Sequence, residues 1–177
     1  MPIQSLDELL ARPGSVAGQR VFVRADLNVP LQGNGAEISD DSRIRASLPT
    51  LERLIEAGAR VVLASHLGRP KGERKPELSL SVVAKALAER LSTTVAFADD
   101  CVGEAAMSAA AGLANGELLL LENLRFHKAE TDNEEGFARD LAALADVYGE
   151  RFGARRGPVI ACAVRAIAWL PSRPASG

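Results

Sequence analysis

The stretch Ser65-His66-Leu67-Gly68-Arg69-Pro70-Lys71-Gly72 sets an imidazole, a guanidinium and an ammonium in a glycine- and proline-punctuated turn. It directly follows the apolar run Val61-Val62-Leu63-Ala64. Cations packed this densely after a buried run suit the binding of an anion. Two further runs end in polar groups. Residues 20–26 pass into Leu27-Asn28-Val29-Pro30, and residues 118–121 into Glu122-Asn123-Leu124-Arg125-Phe126. Arg43 opens a helical stretch in Asp40-Asp41-Ser42-Arg43-Ile44-Arg45. Arginine offers a planar fork matched to phosphate and carboxylate oxygens. Each residue also has a plain structural reading. Asp26 and Asn28 can be turn formers ahead of Pro30, His66 a satisfied loop histidine, and Arg43 and Arg125 exposed ion pairs worth little.

Those side chains need a scaffold, and the apolar pattern predicts one. Strands are expected at residues 20–26, 60–65, 95–97, 117–122 and 145–148. Helices are expected from the capping box at Ser5-Leu6-Asp7-Glu8 and over 42–57, 80–91, 102–113 and 134–144. Gly58 should stop the second helix, Pro49 should bend it or delay its regular start, and Ser79 should cap the third. Residues 31–41 read as a loop. Strands alternate with helices, and the strands are continuous apolar runs. That predicts an α/β fold, a parallel sheet covered by helices on both faces. Such sheets bind ligands at the carboxyl ends of their strands, so three polar strand ends predict one shared site.

Composition narrows the class. At 177 residues the chain fits one domain with a tail. Aromatic residues make up 4% and the net charge is −2, which argues against base stacking and against a broad basic face for nucleic acid. The longest apolar runs fall short of a membrane span, and Met1 to Leu10 lacks a signal-peptide core, so a cytoplasmic protein is expected. Cys101 and Cys162 show no paired spacing and are expected to be reduced and buried. No P-loop, dinucleotide fingerprint, zinc spacing or serine-nucleophile elbow is present.

Taken together in register, Val23-Arg24-Ala25-Asp26-Leu27-Asn28-Val29-Pro30, Asp41-Ser42-Arg43-Ile44-Arg45, residues 65–72 and Leu121-Glu122-Asn123-Leu124-Arg125-Phe126 resemble the N-terminal lobe of phosphoglycerate kinase. The resemblance runs through Asp146-Val147-Tyr148. It implies a Rossmann-like lobe of a two-lobe, monomeric glycolytic enzyme. That enzyme moves a phosphoryl group between ATP and 3-phosphoglycerate, giving 1,3-bisphosphoglycerate and ADP, with Mg²⁺. It implies substrate-binding roles for Asp26, Leu27, Asn28, Arg43, His66, Leu67, Gly68, Arg69 and Arg125. Arg43, His66, Arg69 and Arg125 would form a basic patch, and Arg43 would stabilise the transferring group as the catalytic residue. An acyl carboxylate with a pKa near 4 is ionised at neutral pH and needs no general base. Positioning and charge cancellation then carry the transfer.

Two departures from the family pattern shape the expectation for the rest of the chain. Residues 1–148 read as the phosphoglycerate-binding lobe. Residues 149–177 read as an irregular Arg/Gly/Pro-rich tail, with five arginines and a single acid, interrupted as by a frame disturbance. In it the family's His-Arg segment is lost and the spacing is off by a residue, the sequence leaves open whether Arg155 or Arg156 replaces the missing substrate arginine, and residues 159–170 could form one helix. The nucleotide-binding lobe, which would hold ATP and Mg²⁺, is expected to be absent. A non-catalytic anion-binding module and the product of a truncated gene are the alternative readings.

Overall fold

A computed structural model describes residues 6–11, 16–33, 35 and 37–150. The expectations for Ser5, Cys162, Arg155, Arg156 and the helix over 159–170 fall outside the described residues. Five parallel strands form the central sheet: β1 (Arg20–Arg24), β4 (Arg60–Ala64), β5 (Val95–Ala98), β6 (Leu118–Leu121) and β7 (Val147–Glu150). Their spatial order is β5-β6-β4-β1-β7, and every pair is parallel.

Alternate residues of each strand point to opposite faces, and two helical layers cover them. Val21, Val23, Val61, Leu63, Leu118 and Leu120 pack with Ile44, Leu51 and Leu54 of α2 (Ser42–Glu56) and Val83 and Leu87 of α3 (Ser81–Ala88). Phe22, Val62, Ala64, Leu119 and Leu121 pack with Ala106 and Ala110 of α4 (Gly103–Gly112) and Phe137 and Leu141 of α6 (Glu135–Ala142). Burial on both faces is why these strands are apolar throughout. The short helix α1 (Leu6–Leu10) adds Leu6, Leu9 and Leu10 to the first layer.

Several local expectations change. The stretch read as a loop carries a small antiparallel ladder, β2 (Leu31–Gln32) with β3 (Glu37–Ile38). Leu31 and Ile38 pair across it and both pack on the core, which a scan for longer periodic runs misses. The ladder's turn passes so close to the 3₁₀ turn Pro76–Leu78 that a Cβ on Gly35 would meet the Glu77 carbonyl oxygen at 2.3 Å. Pro49 lies inside α2, which runs from Ser42 without a delayed start. The residue is exposed, so water can take the carbonyl bond that proline forfeits. The first residue of α3 is Ser81, one later than expected, and its cap is shared. Ser79 Oγ accepts from Ser81 N at 3.2 Å and donates to Glu122 Oε2 at 2.8 Å, while Glu122 Oε1 accepts from Leu80 N at 2.9 Å. A four-residue helix, α5 (Lys128–Thr131), follows a 3₁₀ turn at Leu124–Phe126.

Candidate functional site

The chain after β4 leads to α3 on one face, whereas the chain after β6 leads through α5 to α6 on the other. Adjacent strands whose connections diverge to opposite faces open a crevice at their carboxyl ends. The three polar strand ends meet there, held by buried side chains. Ser65 Oγ accepts from Leu27 N at 3.0 Å and donates to the Ala25 carbonyl at 2.8 Å, tying the end of β4 to the end of β1. Asn123, fully buried, ties β4 to β6. Its Oδ1 accepts from Leu67 N and Arg125 N, and its Nδ2 donates to the Leu67 and Leu78 carbonyls at 2.7 and 2.9 Å.

On this frame an unbroken series of polar contacts crosses all three strand ends. Arg43 Nη1 donates to both Asp26 oxygens at 2.6 and 2.5 Å. Asp26 Oδ1 accepts from Asn28 N at 3.2 Å, and Asn28 Oδ1 accepts from Gly68 N at 2.8 Å. The Gly68 carbonyl accepts from Arg125 Nη1 at 3.2 Å. Arg125 Nε lies 3.7 Å from Glu130 Oε2, and Glu130 Oε1 accepts from Arg24 Nη2. Gly68 has φ +62°, a backbone conformation that glycine adopts without strain, and a Cβ there would push the Leu78 side chain aside.

The residues singled out from sequence take different positions in this crevice. Asp26, Asn28, Arg43, Gly68 and Arg125 are brought together by the contacts just described. Arg69 is exposed and pairs with no carboxylate among the described residues. Leu27 and Leu67 bury their side chains in the core, and their amides are committed to Ser65 and Asn123, so they shape the turns. His66 corrects one expectation. Burial, reinforced by the Arg125 charge, lowers its pKa to about 4, so it is neutral at pH 7 and adds a polar ring, not a positive charge, to the basic patch.

Sequence reasoning missed Arg24 and Glu130, whose side chains are 6% and 5% exposed. Arg24 closes the strand RVFVR, directly after the apolar run Val21-Phe22-Val23. The available signal was a charge in a strand otherwise buried on both faces, where charges occur only with partners. The four buried side-chain nitrogens without a hydrogen-bond partner among the described residues are Arg24 Nε and Nη1, His66 Nδ1 and Arg125 Nε, all in this crevice. Native interiors leave few such groups, and their concentration marks a polar site.

A second polar cluster is closed on itself. Asp100, Cys101 and His127 bring donor atoms within 4.8 Å of one another. Cys101 is free and fully buried, and its thiol donates to the Glu122 carbonyl. Burial pushes its pKa well up, so the free thiol stays protonated. His127 Nε2 is already bonded to Asp100 at 2.6 Å. No helix among the described residues is long and apolar enough to cross a membrane.

The parallel sheet, the two helical layers and the arginine-lined strand ends define a Rossmann-like α/β lobe. A family model described as phosphoglycerate kinase matches residues 12–155, and the chain belongs to the phosphoglycerate kinase family. It is 59% identical over 157 residues to a phosphoglycerate kinase of Streptomyces griseus, covering 86% of this chain and 38% of that protein. It is 55% identical over 159 residues to one of Salinispora arenicola, covering 87% and 39%. The solved phosphoglycerate kinase structure from Coxiella burnetii superposes with a TM-score of 0.70 at 34% identity, over 84% of this chain and 35% of that one. The chain therefore spans about two-fifths of the length of the curated relatives it matches.

Proposed function

We propose that this chain supplies the 3-phosphoglycerate site of a phosphoglycerate kinase. The whole two-lobe enzyme would transfer a phosphoryl group between ATP and the substrate carboxylate, giving 1,3-bisphosphoglycerate and ADP. The observation that carries the reading is the series Arg43–Asp26–Asn28–Gly68–Arg125–Glu130–Arg24, drawn from three strand ends. It holds three arginines against two carboxylates, and Arg69 stands exposed beside it. The residual charge suits a phosphate and a carboxylate on one small molecule.

The residues divide the task. Arg43 and Asp26 are 45% and 38% exposed, and such a pair is worth about 0–1 kcal/mol. A charge-assisted bond to a ligand oxygen is worth about 1.5–3 kcal/mol, so an anion can draw Arg43 from Asp26. Asp26, once released, can accept from the substrate hydroxyl. Asn28 has committed its oxygen to Gly68, which leaves its Nδ2 hydrogens to donate. Arg125 buries Nε while its side chain stays 30% exposed, so its outer edge meets the ligand. His66 donates as a neutral ring. Both carboxylates of the crevice are bound to arginines, and this donor set does not fit Mg²⁺, which takes oxygen ligands. The nucleotide and its Mg²⁺ are assigned to a further lobe.

Titration of the chain with 3-phosphoglycerate tests the reading. Binding is expected in the micromolar to millimolar range, weakening with salt. Arg43→Ala and Arg125→Ala should each lose about tenfold or more in affinity, the equivalent of one charge-assisted bond. Folded wild-type chain that shows no binding at millimolar ligand would overturn it.

A further inference from the structure

Glu130 meets no part of the substrate in the reading above, yet it lies against two of the arginines of the crevice. It lies on α5, just beyond the turn that carries Arg125. Its carboxylate is 5% exposed. One oxygen accepts from Arg24 Nη2, and the other stands 3.7 Å from Arg125 Nε. Neither guanidinium has much else to hold it. Among the described residues, Arg24 Nε and Nη1 and Arg125 Nε have no hydrogen-bond partner, and Arg125 Nη1 donates to the Gly68 carbonyl. The direction of the Arg24 guanidinium therefore depends on Glu130, and that of Arg125 on the Gly68 carbonyl together with the Glu130 charge.

We propose that Glu130 is a positioning residue of the anion site. One oxygen fixes Arg24 by a hydrogen bond and the other draws Arg125 by its charge, in the orientations in which the crevice receives the substrate anion. The competing role is charge balance alone, a carboxylate that offsets crowded cations. The two roles predict opposite signs. A fixed negative charge beside an anion site repels the ligand, so under charge balance alone its removal strengthens anion binding. If Glu130 sets the guanidinium directions, its removal weakens binding despite the gain in positive charge, because the arginine forks no longer match the ligand oxygens. The binding arm rests on the 3-phosphoglycerate reading, whereas the orientation of the arginines does not.

The test compares the wild-type chain with Glu130→Gln, which keeps shape and removes charge, and with Glu130→Asp, which keeps charge and shortens reach. The guanidinium Nη–Hη NMR signals of Arg24 and Arg125 are recorded without ligand. They are expected to be resolved and protected in wild type and to collapse toward the free-arginine position in Glu130→Gln. Unchanged signals in the folded variant would overturn the proposal whether or not any ligand binds. Titrations with 3-phosphoglycerate and with inorganic phosphate then follow. A tenfold or larger loss for 3-phosphoglycerate in Glu130→Gln supports positioning, and equal or tighter binding overturns it. If Glu130→Gln fails to fold, Glu130→Asp decides. Full wild-type signals and affinity there would reduce Glu130 to a charge, and a loss of either supports positioning. If wild type binds neither anion, the substrate reading falls and the NMR comparison still decides the role of Glu130.

Discussion

At the scale of single residues, the crevice keeps its charges in two different states. The exposed Arg43–Asp26 pair is cheap to open, while the Arg24–Glu130 pair is buried and costly to separate. His66 is a neutral ring whose pKa is lowered to about 4, first by burial and then by the Arg125 charge, with Arg24 acting in the same direction and Asp26 and Glu130 opposing. The folded pKa is below the ordinary value of 6.5, so the unfolded chain takes up the proton first. Unfolding stability contributed by His66 is therefore whole above pH 6.5 and is shed as pH falls toward 4. Thermal melts of wild type and His66→Gln should diverge over that window, the wild type losing more. Parallel curves would show that the ring is solvated as an ordinary histidine.

At the scale of elements, the site depends on buried side chains that stitch turns together. Asn123 makes four hydrogen bonds with both ends of its carboxamide, and all four partners are backbone groups of the β4 and β6 turns or of Leu78. An unsatisfied buried backbone group costs about 1–3 kcal/mol. Asn123→Ala should therefore destabilise the lobe by about 3–5 kcal/mol in urea unfolding and weaken 3-phosphoglycerate binding further in whatever fraction stays folded. A loss under about 1 kcal/mol would mean that water replaces the carboxamide. Glu122 works similarly at the start of α3, where its carboxylate meets the Leu80 amide and the Ser79 hydroxyl, at the helix end that favours negative charge. In the sequence these residues stand in one short segment, Glu122-Asn123-Leu124-Arg125, and only Arg125 reads as chemistry.

At the scale of the whole molecule, one sheet with two apolar faces carries the stability. Leu63 is central, fully buried on β4 and paired with β1 and β6 on either side. Leu63→Ala should cost about 2–5 kcal/mol, a large part of the roughly 5–15 kcal/mol that holds an ordinary domain. The urea midpoint should fall sharply, with the crevice lost in the same cooperative transition. A preserved midpoint would show that the sheet repacks around the gap.

The sequence by itself determined the α/β class, the order of the sheet strands and the longer helices, and the candidate anion residues, because apolar runs, caps and glycine stops are local properties of the chain. The motifs in register also determined the family. Tertiary structure alone decided which of those residues meet and in what charge state. Arg24 and Glu130 are 106 positions apart and pair through the fold, and Arg43 reaches Asp26 across 17. His66 loses its charge because the fold buries it beside Arg125. Desolvation and long-range pairing depend on what surrounds a group in space, and no spacing along the chain reports that.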